Sequence, residues 1–194
     1  MNVVAIIPAK GFSSRLYEKN IYPLFNKPLI CWTIDAALQS KFINEIFIST
    51  ESNKVISVVN DHYLDDVRIN IIKRPERLCE NNVGKQQVIE HAVNEIEKNI
   101  TVNTICILQA NSSQIKTNKI DEAIEKVVNG KALQCCSINK DTLFTDGAIR
   151  VARRHCLNDK GLGMYLSIVL TDYIDIHDIE DIEQVKMILK SEIV

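Results

Sequence analysis

With 194 residues, 46% of them hydrophobic and 25% charged, the chain can bury one core without disulfide staples and has the composition of a soluble globular protein. A net charge of −2 gives no whole-surface reason to expect nucleic acid or an anionic membrane as partner, although a local cluster of cations can still serve a small anion. No apolar stretch approaches the roughly 20 residues of a membrane span. The run 3–7 is too short for a secretory leader and has no basic residue before it. The six cysteines form no C-x-x-C pair and mostly sit in apolar runs, as reduced core thiols do. These features predict a cytoplasmic protein.

Short runs rich in Val and Ile alternate along the chain with segments of helical period. Strands are predicted at 3–8, 45–50, 69–73, 104–109, 132–138, 147–152 and, with an interruption, 165–176. Their near-continuous apolar character suits strands covered on both faces. Asn26 is placed to cap a helix through Leu38, with Leu29, Ile30, Thr33, Ile34 and Ala37 as its buried stripe. Further helices are predicted over 53–63, 84–98, 117–129 and 178–191. Val88, Ala92, Val93 and Ile96 form one inner face, and Ile120, Ala123, Ile124 and Val127 another. Ile182, Val185, Ile188 and Leu189 form the last. Gly130 supplies a stop for the fourth helix. No linker, repeat or low-complexity segment divides the chain, so residues 1–194 read as one domain. Alternating strands and helices predict a three-layer α/β/α fold around a mostly parallel mixed sheet.

Ligands of open α/β sheets bind outside the carboxyl ends of the strands. The loop after the first strand places Lys10, Arg15 and Lys19 near one another, with Gly11 and the hydroxyls of Ser13 and Ser14. Gly11 permits a turn that aims backbone N–H groups at a phosphate chain. A solvated basic loop is the alternative. The loop is neither a G-x-x-x-x-G-K-S/T phosphate loop nor a G-x-G-x-x-G dinucleotide loop.

Ile6-Ile7-Pro8-Ala9-Lys10-Gly11, followed by the run from Lys19 through Asn20, Pro23, Leu24, Lys27 and Pro28 to Ile30, resembles the signature IIPARGGSKGIPRKNIRPLAGKPLI. That is the signature of the CMP-sialic acid synthetases. Ser13-Ser14-Arg15-Leu16 is similar to the S-T-R-L of the related CMP-Kdo synthetases. The likeness continues in order through Ser49-Thr50-Glu51 (S-T-D), Arg74-Pro75-Glu76-Arg77-Leu78 (R-P-x-x-L) and Leu108-Gln109-Ala110-Asn111-Ser112-Ser113 (L-Q-P-T-S-P). Asp146-Gly147-Ala148-Ile149 (N-G-A-I) and Ile174-Asp175-Ile176-His177 (I-D-I-D) complete it.

The resemblance implies a Rossmann-like nucleotide-diphospho-sugar transferase fold and transfer of CMP from CTP to a sialic-acid-like or Kdo-like 2-keto sugar acid, with release of pyrophosphate. It implies CTP and a small acidic sugar acceptor as partners, and neither nucleic acid nor membrane. It puts Lys10, Arg15 and Lys19 in the catalytic role, neutralising phosphate charge. Ala9, Lys10, Gly11, Ser13, Arg15, Lys19, Asn20, Arg74 and Gln109 would bind nucleotide, and Gln109, Asn111 and Ser112 the acceptor. Mg2+ would sit on Asp175 and His177, the latter standing where the family has a second aspartate; Asp172 or Asp178 would be the compensating carboxylates. Asn111 stands where the Kdo branch carries an acidic residue. The prolines of L-Q-P-T-S-P and the arginine after it are absent. The loop near 138–147 is far shorter than the arm the family uses for dimer contact, so a homodimer would be weakened. These departures keep open a homologue that binds nucleotide or a protein partner without transfer, or a nucleotidyltransferase with another small acceptor.

Overall fold

The computed structural model describes residues 1–80, 82–158 and 165–193. Its main sheet comprises β1 (Val3–Pro8), β4 (Glu45–Thr50), β5 (Ile69–Lys73), β6 (Thr104–Leu108), β7 (Gln134–Asn139), β8 (Thr145–Arg153) and β9 (Leu166–Thr171). β2 (Pro23–Leu24) and β3 (Lys27–Pro28) form a separate small hairpin. The sheet order is β5-β4-β1-β6-β8-β7-β9, with β8 antiparallel to both neighbours and every other pair parallel. The carboxyl ends of β1, β4, β5, β6, β7 and β9 therefore share one edge.

Alternation along β1 builds the layers. Val3, Ala5 and Ile7 face α1 (Leu29–Leu38), α2 (Asn53–Tyr63) and α4 (Thr117–Val128). Val4 and Ile6 face α3 (Lys85–Ile96) with Phe47, Ile72, Ile105 and Ile107. Fully burying each such Ile stabilises the fold by roughly 1.5–3 kcal/mol. A third cluster packs Ile182, Val185 and Leu189 of α5 (Ile179–Ile193) on Leu24, Leu29 and Ile176.

Three local expectations are corrected. Asn26 does not cap α1: Phe25 and Asn26 have φ of 50° and 61° and turn the β2–β3 hairpin, while Pro28 precedes the helix. Ile188 lies 37% exposed, because the surface that α5 covers is only wide enough for Ile182, Val185 and Leu189. The expected last strand stops at Thr171, and the chain beyond it is strapped along the sheet edge. There Gln114 Oε1 accepts from Ile174 N at 2.9 Å, and Lys116 N donates to Tyr173 Oη at 3.0 Å. The 140–144 connection is a tight turn in which Asn139 Oδ1 accepts from the N–H groups of Asp141 and Thr142.

None of the six cysteines is in a disulfide, and Cys31, Cys106, Cys135 and Cys156 are buried. Burial pushes Cys31 and Cys135 up to about 11, so neither offers a thiolate at neutral pH. Iodoacetamide at pH 8 is expected to reach only Cys79 and Cys136 in the folded protein. The other four should be modified only with denaturant present, as intact-protein mass spectrometry would read.

Candidate active site

The loop from β1 is tied down at several points. Ala9 N donates to Ser49 O at 2.9 Å, Asn20 Nδ2 donates to Lys10 O at 2.8 Å, and Glu18 pairs with Lys54 of α2. These ties turn the loop over the sheet edge. Lys10, Phe12, Ser13, Ser14, Arg15, Lys19 and Asn20 there line a cleft of about 310 Å³, with Asn111 and His177 on its far side. Cations from one loop thus meet residues from the β6–α4 and β9–α5 connections, so that of the residues singled out in the sequence Lys10, Ser13, Arg15, Lys19, Asn20, Asn111 and His177 are brought together.

Behind the cleft lies a hydrogen-bonded clamp. The side-chain amide of Asn111 donates to Asp175 Oδ1 and, at 2.8 Å, to Ile176 O. Both amide hydrogens face acceptors, which fixes the orientation of the group, since the flipped form would set oxygen against oxygen. Asp175 Oδ2 lies 3.0 Å from His177 Nε2, and His177 Nδ1 lies 3.3 Å from an Arg15 Nη. A neutral imidazole satisfies both contacts with its proton on Nε2. Lys19 Nζ donates to Ile176 O at 2.7 Å. Burial lowers the Lys19 pKa below that of an ordinary lysine, and Asp175 opposes the shift.

Other expected residues are placed differently. Ala9 is fully buried and packs in the core. The Gly11 N–H is aimed away from the cleft, donating to Glu51 Oε1 at 2.7 Å. Glycine is needed there for another reason: a Cβ would stand 2.5 Å from Ser52 Cβ. Gly11→Ala is expected to displace the loop and lower the melting temperature, by about 2–4 °C for each kcal/mol lost. Adding Ser52→Gly should restore much of it, with thermal unfolding followed by circular dichroism as the measurement.

Arg74 is 5% exposed and turned inward. Its guanidinium donates to Ser49 O at 2.7 Å and lies 3.7 Å from Glu51, so it joins the ends of β4 and β5 and lines no part of this cleft. Gln109 packs its amide over Gly147, where φ is +69° and a Cβ would come within 2.6 Å of that amide. Ser112 is 1% exposed and closed to a ligand in this conformation. Ser112, Ser113 and Gln114 are all buried, with Gln114 tied to the strap that follows β9.

Phe12, 59% exposed, forms an apolar lip that the basic composition of the loop concealed. Lys85 opens α3, and its pKa is lowered by desolvation while Asp175 opposes the shift. Because α3 runs from the carboxyl end of β5 back to the start of β6, its first residue stands on the same edge of the sheet as the loop cations. The only sequence signal for Lys85 is a lysine directly after a helix-opening glycine.

The residues do not fit the resident magnesium that the resemblance implies. Magnesium takes near-octahedral oxygen ligands at about 2.0–2.1 Å. Both Asp175 oxygens are engaged, by Asn111 and by His177. Asp178 Oδ1 accepts from Glu180 N and Asp181 N, and Asp181 Oδ2 accepts from His177 N and Asp178 N, so these two carboxylates cap α5. Asp172 pairs with Lys140. Among the described residues, no three His, Cys, Asp or Glu side chains are grouped to hold a metal.

A family model described as Cytidylyltransferase matches residues 4–192. The chain is 29% identical over 133 residues to N-acylneuraminate cytidylyltransferase of Escherichia coli O18:K1:H7, a match covering 69% of this chain and 30% of that protein. It is 32% identical over 159 residues to 3-deoxy-manno-octulosonate cytidylyltransferase of Chlorobaculum parvum, covering 82% and 56%. The chain thus spans at most a little over half of these relatives. The fold matches CMP:2-keto-3-deoxy-manno-octonic acid synthetase solved with CTP, with a TM-score of 0.76 and 13% identity over 99% of this chain and 100% of that one. It also matches Rv0371C of Mycobacterium tuberculosis solved with manganese, with a TM-score of 0.65 and 12% identity over 96% and 99%.

Proposed function

Because the chain belongs to the cytidylyltransferase family, we propose that its carboxyl-edge cleft binds the triphosphate of CTP and transfers CMP to a 2-keto sugar acid of the sialic or Kdo type. The convergence of Lys10, Arg15 and Lys19 on one cleft carries this reading. In the proposed step the anomeric hydroxyl oxygen attacks the α-phosphorus and gives up its proton to solvent, the bond from that phosphorus to the oxygen bridging to the β-phosphate breaks, and pyrophosphate leaves with the bond's electron pair. Such transfer needs positioning and charge neutralisation and no covalent protein intermediate. Lysine and arginine side chains fixed before the reaction supply that neutralisation.

Residues 1–194 would act as one such domain. The free thiols fit a reducing compartment such as the cytoplasm, and among the described residues no helix is long and apolar enough to cross a membrane. The tight 140–144 turn offers little for a dimer arm, so any homodimer should dissociate on dilution in light scattering.

The test is pyrophosphate release from CTP with a panel of sialic, pseudaminic and Kdo-type acids. Release with one or more of them is expected. No release from any, together with no binding of CTP, would remove the reading. The engaged Asp175 carboxylate favours a second reading, a homologue that binds nucleotide without transfer; CTP binding with no product from the whole panel would select it.

A further inference from the structure

In front of the Asn111–Asp175–His177 clamp, the described residues lining the cleft include Lys10, Arg15 and Lys19 and no carboxylate. Asp175 stands behind them with one oxygen held by Asn111 and the other by His177. A metal cage presents unshared carboxylate oxygens toward the phosphates. This edge presents ammonium, guanidinium and imidazole groups: Asp178 and Asp181 cap α5, Asp172 pairs with Lys140, Asp146 accepts from Ser137, Thr171 and Ala148 N, and Glu51 faces Arg74 and the Gly11 N–H. Lys85 adds a further cation from the first turn of α3, across the sheet edge from the loop.

Two devices can hold a triphosphate. One is a divalent ion shared between phosphate oxygens and protein carboxylates; the other is a set of charge-assisted hydrogen bonds from lysine and arginine. The first is dismantled here in a specific way. Asn111 carries donors where a ligand would need a lone pair, because both its amide hydrogens are committed to Asp175 and Ile176. His177 brings an imidazole whose Nε2 already meets Asp175. The second device is present in full on the loop.

We propose that this chain holds the triphosphate of CTP without a protein-bound divalent ion, with Lys85 joining Lys10, Arg15 and Lys19 as the balancing charge. The inference rests on the CTP reading of the cleft and specifies how that cleft works. Lys85 is then a binding residue of this chain with no counterpart among the motif positions. Its side chain belongs to none of the three apolar clusters, so removing it leaves the core intact.

Calorimetric titration of CTP into the whole protein, once in EDTA and once in excess magnesium, separates the possibilities. Affinities within about threefold of each other are expected. A fall of about tenfold or more in EDTA, equal to some 1.4 kcal/mol, overturns the inference while leaving the CTP reading standing. No binding in either buffer removes the CTP reading and this inference with it. Electron paramagnetic resonance of Mn2+ added to nucleotide-free protein gives a second readout. The free-ion signal should persist undiminished, and its loss on adding protein would overturn the inference. Lys85→Gln should weaken CTP by about tenfold, leave CMP nearly unchanged and keep the melting temperature. Equal CTP affinity in that variant would overturn the part assigned to Lys85. His177→Asp, which frees Asp175 Oδ2 and adds a carboxylate, should make CTP affinity depend on magnesium. An unchanged metal response in that variant would contradict the role given to the clamp.

Discussion

Lys19→Met is expected to weaken CTP binding by roughly 10- to 100-fold without destabilising the protein. Charge-assisted hydrogen bonds contribute about 1.5–3 kcal/mol, which sets the scale of the loss. Methionine keeps most of the aliphatic stem that packs at the sheet edge. The carbonyl that Lys19 leaves, Ile176 O, still accepts from Asn111 at 2.8 Å, so no buried acceptor is orphaned. The charge itself is a burden on the apo fold. Burial lowers the Lys19 pKa in the folded state, so the unfolded chain holds the proton more tightly and protonation penalises folding below that pKa. Removing the ammonium therefore should not lower the melting temperature. CMP, which lacks the β- and γ-phosphates, should lose far less affinity than CTP. Parallel losses for CMP and CTP would show that Lys19 does not face the outer phosphates.

Asn111→Asp is expected to cost about 3 kcal/mol or more at neutral pH, through loss of the buried donor and opposition of two carboxylates. Asn111 is buried, and its donors reach Asp175 and Ile176 O, so an aspartate there meets only acceptors. Facing like charges raise a carboxyl pKa in the folded state above its unfolded value of about 3.9. Such a group stabilises the fold fully below the unfolded pKa and loses that contribution as pH rises through the folded one. The variant should therefore regain stability on acidification relative to the parent. It also supplies the second carboxylate that the parent lacks, so magnesium or manganese should raise its melting temperature and leave that of the parent unmoved. Urea denaturation at pH 5 and pH 8, with and without the ion, measures both effects. Equal stability in all four conditions would contradict the clamp geometry.

The strands were legible because buried parallel strands carry uninterrupted Val and Ile, and β1, β4 and β5 keep the predicted bounds. The stripes of α1, α3 and α4 were legible for the same reason, since burial imposes period on each helix. Asn26 was misread because a capping asparagine and a left-handed turn asparagine look alike until the backbone is seen; the short hairpin with Pro23 and Pro28 decides between them. Ile188 satisfied the period but exceeded the width of its partner surface.

Lys10, Arg15 and Lys19 could be grouped from sequence because one loop carries all three. The place of Arg74, which the resemblance put at the nucleotide, depends on Glu51, whose carboxylate meets it only after β4 and β5 pair. Lys85 was hidden for a related reason. The path of the chain across the sheet brings the start of α3 toward Asp175, a residue far along the chain. The exchange of metal ligands for a clamp was half visible, as Asn111 and His177 in unusual places. That their donors turn upon Asp175 required the fold.

The most direct test of the CTP assignment is a crystal structure of the protein with CTP. The β- and γ-phosphates should lie between Lys10, Arg15 and Lys19, with Asp175 still held by Asn111 and His177. Phosphates seated elsewhere, for example in the larger groove of about 570 Å³ lined by Arg77, Glu90 and His91, would contradict it.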